Sequence, residues 1–174
     1  MEDVKGLQIR SPGGVVTPII ESWGGTPVSM PMSDAYIALE KGIVDAIASP
    51  YEVMELIKLG ELATFHTEGN FCTNPLGLAM NIDTYKSLPS DIQKIIDETG
   101  YEWWVNAGKY NDTVNAEAKR WCLERGNEVI TLSPEELETW KQATASVIDK
   151  WVTDLEAEGK PARRFVDEAY NCAK

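Results

Sequence analysis

The chain has 174 residues, of which 43 % are hydrophobic, with six tryptophans and a formal charge of −12. That length and apolar content describe a globular chain able to bury a core, one domain or slightly more, and exclude a disordered one. The acidic balance disfavours nucleic acid and anionic membrane surfaces, which need clustered Lys and Arg, and no apolar run approaches the roughly 20 residues that span a bilayer.

The start, Met1 to Lys5, carries no apolar signal segment, and the first strand follows within a few residues. An abrupt start of this kind is expected of a chain entered partway through a larger protein. Leu7 to Arg10 reads as a strand ending in Ser11-Pro12-Gly13-Gly14, and Gly13 to Trp23 as a helix closed by Gly24-Gly25. Pro27 to Met30 is a second strand. A helix capped by Ser33 then runs to Lys41, with Gly42 as its stop. Val44 to Ala48 is a near-continuous apolar run, the pattern of a strand covered on both faces. Pro50 suits the first position of a helix from Tyr51 to Lys58. Alternation of this kind predicts βα units and a parallel sheet.

Beyond Gly60 the texture changes. Leu62 to Thr67 and Pro75 to Met80 read as strands on either side of a polar loop, and Tyr85 to Leu88 as a turn of helix. Pro89 to Arg125 is a long helical stretch whose start carries Ser90 and Gln93, a capping-box pair, and whose Gly100 and Gly108 are positions where it could bend or split. Glu128 to Thr131 is a short strand. Ser133-Pro134-Glu135-Glu136 combines cap, proline and glutamate into a helix start. That helix ends at Gly159, and a last one covers Ala162 to Ala173.

Arg10 is the foremost candidate for chemistry. A guanidinium offers a planar fork of donors that fits a carboxylate and stays charged at any working pH. Gly13-Gly14 leaves backbone N–H groups unobstructed at the start of the next helix, and strand ends in parallel sheets are where such folds bind ligands. A surface ion pair is the plain alternative. Ser49 at the third strand's end could donate to the same anion, or simply cap a helix. Tyr51 could floor a pocket or pack. Met32 could line its wall or fill core. The loop from Asn70 to Pro75, with Phe71 and Asn74, suits a pocket lip or a turn.

His66 is the only histidine. A hydrolase needs a nucleophile, a base and an orienting acid; one histidine supplies the base alone, so a structural or ligand-contacting role is expected. The chain has no G-x-S-x-G, H-E-x-x-H, P-loop or G-x-G-x-x-G motif. Cys72, Cys122 and Cys172 match no zinc spacing. They are either ordinary thiols, or two of them form a Cys122–Cys172 bridge in an oxidising compartment. No cofactor and no metal is expected.

Several blocks resemble one family. Lys5 to Gly13 resembles the KGLKIRVPG block of TRAP-type (DctP-like) solute-binding proteins, and Gly25 to Leu39 their GATPVPMPFSEVYTAL. Gly42 to Ala46 resembles their GVVDG, and Met80 to Lys94 their MNKDTYDSLPPDLQKAI. The likeness follows chain order over most of the length. It implies an α/β fold of the type II periplasmic-binding-protein kind, whose second lobe would occupy residues 1–72. A strand returning to the first lobe and a long connecting helix would follow at 73–131, and C-terminal helices at 132–174. Most of the first lobe would be missing, and apolar surface meant to face it would be exposed.

The function so implied is binding of an organic carboxylate in an interlobe cleft and delivery to a TRAP-type membrane permease, in the periplasm, without catalysis. Arg10 matches the arginine that clamps the substrate carboxylate in that family. Met32 stands where many members have a cleft phenylalanine, and Ser49 where many have a ligand-contacting asparagine. Pro50-Tyr51-Glu52 is the counterpart of a Pro-Trp-Glu turn in a subgroup that also carries a His-Thr-Glu run, which would put His66 near the cleft. Two rival readings remain: a carboxylate-binding lyase or isomerase with His66 as base, and a scaffold whose long helices bind a partner protein.

Overall fold

The computed structural model describes residues 1–72 and 77–172. Its regular elements are β1 (Gln8–Ser11), α1 (Val16–Ser22), β2 (Thr26–Ser29), α2 (Met32–Glu40), β3 (Ala46–Ile47), α3 (Tyr51–Leu56), β4 (Phe65–Glu68), α4 (Ile82–Ser87), α5 (Ser90–Glu124), β5 (Glu128–Thr131), α6 (Pro134–Ala157) and α7 (Ala162–Cys172). Short 3-10 turns lie at Glu2–Val4 and Leu59–Glu61. The chain divides into two compact units. The first comprises Met1–Ala48, Thr67–Phe71 and Ile130–Lys174; the second comprises Ser49–His66 and Cys72–Val129. The paired strands β4 and β5 each begin in the second unit and end in the first.

In the first unit, β1 is the central strand of a parallel sheet in the order β2-β1-β3. Register places Arg10 beside Val28 on one side and Ile47 on the other. The apolar alternation that predicted this βαβαβ unit is realised because each helix lays its inward stripe over the sheet. Ile19 and Ile20 of α1 join Ile9 of β1 in a buried core, with Ile20 fully enclosed. Trp23 and Trp140 complete that core, and α6 packs against α1. Gly24 follows α1 with φ +86, the left-handed conformation that ends a helix where other residues would be strained.

The second unit is built on α3 and the C-terminal part of α5. Asn115 of α5 accepts from the backbone N–H of Glu52 at 3.1 Å and donates to its carboxylate at 3.3 Å, fixing the start of α3. Ala118 and Cys122 are buried on the same helix. Gly60 lies under Trp121 and Cys122 so closely that a Cβ there would meet the indole at 2.7 Å. Here the glycine is required by the close approach of its neighbours.

Several local expectations give way. Helix α2 begins two residues earlier than predicted, with Pro31 in the cap position, and Ser33 donates to Asp34 instead of capping. At α5 the cap is Pro89, and Gln93 donates to the Leu88 carbonyl, so the Ser90–Gln93 box does not form. Gly100 and Gly108 do not split α5 into separate helices, and it runs unbroken for 35 residues. A glycine costs only about 1 kcal/mol in a helix interior, less than the surrounding turns return. Residues 77–80 are not strand, and the beginning of the predicted strand, at Pro75, lies outside the described residues. Cys122 is a buried free thiol and Cys172 an exposed one, so the Cys122–Cys172 bridge is absent.

The cap at Ser133 forms as read: its hydroxyl accepts from the Glu136 N–H while the Glu136 carboxylate accepts from the Ser133 N–H. The Ser133 backbone N–H, and then its hydroxyl, hold the Glu136 carboxyl below the usual carboxylate range. A depressed carboxyl pKa stabilises the fold above the unfolded value, and that contribution fades as pH falls through the folded one. Ser133→Ala is expected to lower stability near neutral pH by about 1 kcal/mol, with a smaller deficit in acid. Denaturant unfolding at both pH values checks it.

Candidate functional site

The only buried charged side chain among the described residues belongs to Arg10, which is 4 % exposed. Its Nε and Nη2 donate to the Met30 carbonyl at 3.1 and 2.9 Å. Met30 stands one residue beyond the end of β2, so the guanidinium lies at the carboxyl edge of the parallel sheet. Both bonds reach a neutral backbone oxygen. Among the described residues no carboxylate lies within ion-pairing distance of Arg10, whereas salt bridges such as Lys150–Asp154 and Arg163–Asp149 join exposed partners. Burial pushes the guanidinium below its ordinary pKa, yet an arginine remains charged. Desolvating an unpaired charge is costly, and an anion seated on the remaining N–H groups would remove that penalty.

The turn after β1 is more occupied than the sequence suggested. Gly13 and Gly14 do adopt positive φ, +90 and +58. The Gly13 N–H, however, donates to the Ser11 hydroxyl at 3.0 Å, and that hydroxyl also bonds Thr17. With Ser11 fully buried, this knot fixes the loop and takes up one of the N–H groups expected to be open. Helix α1, seven residues long, is too short for its N-terminus to serve as an anion site.

The other candidates distribute themselves over the two units. Met32, the first residue of α2, belongs to the first unit with Arg10 and is half-buried. Phe71 is also in the first unit, but its ring is part of the core: it stacks on Trp140 at 4.8 Å and tilts against Trp23 at 4.9 Å. Packing, the plain alternative, accounts for it. Asn74 lies outside the described residues. Ser49, Tyr51 and His66 are in the second unit. The Ser49 hydroxyl donates to the Pro50 carbonyl at 3.0 Å. The Tyr51 and His66 rings approach to 5.5 Å between centroids at 49°, and His66 Nε2 is 3.1 Å from Asn127 Oδ1.

Sequence reasoning did not find Asn127 or the Met30 carbonyl. Asn127 follows Gly126, whose φ of +83 closes α5, and carries no motif of its own. A backbone carbonyl has no sequence signature at all. No group of three or more His, Cys, Asp or Glu side chains among the described residues could hold a metal, and no helix there is long and apolar enough to cross a membrane.

Comparison with known proteins supplies the family. Residues 1–154 match the model for bacterial extracellular solute-binding protein, family 7, also called DctP. The chain belongs to that family. Among curated relatives, it is 25 % identical over 161 residues to the C4-dicarboxylate-binding periplasmic protein DctP of Vibrio cholerae, covering 90 % of this chain and 47 % of that one. Among solved structures, it is similar to a TRAP solute-binding protein of Rhodoferax ferrireducens in complex with copurified benzoate. That match has a TM-score of 0.81 and 32 % identity, over 94 % of this chain and 52 % of the other. A marine metagenome TRAP solute-binding protein specific for aromatic acid ligands, in complex with metahydroxyphenylacetate, aligns with a TM-score of 0.85 and 30 % identity, over 98 % and 55 %.

The chain thus spans about half the length of the curated relatives it matches. The mixed α/β architecture, with a parallel sheet and long helices, is that of the TRAP periplasmic binding proteins, as the sequence blocks implied.

Proposed function

We propose that this family 7 chain is the arginine-bearing portion of a periplasmic solute-binding protein that captures an organic carboxylate and passes it to a TRAP-type membrane permease. The observation carrying this reading is Arg10: a buried positive charge, tethered among the described residues only to a neutral carbonyl, at the carboxyl edge of a parallel sheet. Every ligand named for the three relatives above is a carboxylate. The carboxylate takes the free side of the guanidinium fork, and Met32 of the same unit shapes its surroundings.

A second observation supports the view that more of the relatives' fold belongs with this portion. Helix α5 extends for about 52 Å at 1.5 Å per residue, yet its only buried residues are Ala118 and Cys122, near its C-terminus. Ile92, Ile95, Tyr101, Trp103, Trp104 and Val105 are exposed, Trp104 to 57 %. At 100° per residue the last four point in several directions around the axis, and a helix apolar all round is a buried helix. The half of the relatives that this chain does not match is the body that would cover it.

The enzyme reading gains nothing from the geometry. His66 faces a carboxamide and a phenol ring, and among the described residues no carboxylate is hydrogen-bonded to it to orient it as a base.

Thermal denaturation with millimolar benzoate, metahydroxyphenylacetate or succinate tests the proposal, since a ligand bound to the folded state stabilises it by mass action. At least one acid is expected to raise the melting temperature while benzamide, its uncharged analogue, does not. Equal response to acid and amide, or to neither, would remove the anion site.

A further inference from the structure

Helix α5 lies wholly in the second unit, and both of its buried residues, Ala118 and Cys122, come after Val114. Before that point its apolar and small residues follow a period. Ile96, Trp103 and Tyr110 recur every seven residues, and so do Gly100, Ala107 and Val114, offset by four. Spacings that alternate between four and three are the heptad pattern by which one long helix packs against another. One series of this seam is bulky and the other is small for two of its three members. Trp103 is 46 % exposed and Tyr110 67 %, and Trp104 at the border of the seam is similarly open. Among the described residues nothing accounts for Gly100. It has no positive φ, and a Cβ there would meet no atom within 4 Å. A helical glycine costs about 1 kcal/mol relative to alanine, so this notch is a loss unless something fills it. Gly108 is equally open but projects from another face.

A seam of this form fits itself. Let two copies of α5 run antiparallel about a two-fold axis level with Val105. Trp103 then stands opposite the second copy's Ala107, Tyr110 opposite its Gly100 and Ile96 opposite its Val114. Both aromatic rings enter the space left by the smallest residues, and the symmetry makes each match twice. Electrostatics agrees. A chain with a net charge of −12 pairs with itself only across a face free of acidic groups. Beside the seam stand Ile92, Thr99, Trp104, Asn106 and Asn111, and the one carboxylate there, Asp97, already accepts from Tyr85 at 2.8 Å. We infer that the Ile96–Val114 face of α5 docks a second copy of this chain, helix against antiparallel helix. An aromatic side chain offers about 150–250 Å², so Trp103, Trp104 and Tyr110 keep about 250–400 Å² open on each copy. That is up to half of the roughly 800 Å² a partner gives to a standard interface, before the rest of the seam is added. The inference is independent of the carboxylate reading. It also leaves Tyr101 and Val105, on the side of α5 away from the seam, for the body proposed above to cover.

Sedimentation equilibrium on the full chain reads the result. The mass should rise from 19.3 kDa towards twice that value as concentration passes through the micromolar range. Gly100→Leu improves helix propensity but fills the notch. Far-ultraviolet circular dichroism should therefore show at least as much helix while the dissociation constant of the dimer rises at least about tenfold. Ala107→Trp should weaken the dimer in the same way, because it sets ring against ring. Adding Trp103→Ala to that variant exchanges large for small and should restore the dimer, a recovery specific to the antiparallel register. Tyr101→Glu, away from the seam, should leave self-association unchanged. A chain that stays monomeric up to about 100 µM overturns the inference and leaves all of α5 to the body proposed above. A dimer that survives both Gly100→Leu and Ala107→Trp forms elsewhere and overturns it as well, as does a double variant that fails to recover. None of these outcomes touches Arg10, whose test is acid binding.

Discussion

Replacing Arg10 by methionine is expected to abolish carboxylate binding while leaving the unliganded fold nearly as stable as before. The two halves of that result come from the same geometry. A charge-assisted contact to a carboxylate contributes about 1.5–3 kcal/mol, and more when the partner charge would otherwise be stranded in a dry site. Its loss should weaken affinity at least tenfold to a hundredfold, read by calorimetry on any acid that the unaltered chain binds. Stability behaves differently, because Arg10 is buried with no carboxylate partner among the described residues. Removing an unneutralised buried charge and filling its space with an apolar side chain is often neutral or stabilising. The opposing term is the Met30 carbonyl, which loses two donors at a cost of about 1–3 kcal/mol if water cannot replace them. A net change within about 2 kcal/mol is expected from these opposing terms. If unliganded Arg10→Met unfolds while ligand affinity persists in whatever remains folded, Arg10 is structural and the functional reading fails.

Lysine at the same position should not restore binding in full. The tether to Met30 uses Nε and Nη2 together, and an ammonium has no fork with which to hold that carbonyl and still offer a planar face to an acid.

The largest loss of stability is expected for Trp23→Ala. Trp23 closes α1, is almost fully buried, and contacts Trp140 at 4.7 Å and Phe71 at 4.9 Å between ring centroids. Its indole N–H donates to the Thr144 hydroxyl at 3.2 Å. The substitution therefore opens a cavity, removes two ring contacts and loses the bond accepted by the Thr144 hydroxyl, which keeps its own bond to the Trp140 carbonyl. Truncating a buried tryptophan costs about 3–5 kcal/mol, comparable to the whole stability of a small domain. Near-ultraviolet circular dichroism should lose the aromatic signal of the first unit, and that unit should unfold at lower denaturant. Ile9 of the strand bearing Arg10 belongs to the same core, so ligand binding should fail as well. Tyr85→Phe is the control: its hydroxyl donates to Asp97 on an exposed surface, and an exposed bond of that kind is worth well under 1 kcal/mol. A loss below about 1 kcal/mol for Trp23→Ala would mean that the cluster is not the keystone of the unit.

What was legible in advance was whatever depends on neighbours along the chain. Strand–helix alternation from Leu7 to Lys58 announced a parallel sheet, because hydrophobic period and glycine stops are local signals. The Ser133–Glu136 box was readable for the same reason, as donor and acceptor are three residues apart. The Ser90–Gln93 pair has a similar pattern and failed, since Pro89 already holds the cap position and Gln93 found the Leu88 carbonyl instead. Phe71 shows the limit of local reading too. A phenylalanine in a polar loop looks like a lip, and only the distant Trp23 and Trp140 show that it completes a core.

By itself, then, the sequence determined that Arg10 ends a strand, that glycines turn the chain after it, and that its blocks are those of solute-binding proteins. Tertiary structure alone decided whether that arginine is neutralised. Its charge is fixed by chemistry, but its partners are set by which backbone folds against it from twenty residues away. The same holds for His66, whose ring meets the Asn127 carboxamide across 61 residues of chain. Hydrogen bonds and burial are properties of packed neighbours, and residue order specifies those only through the fold.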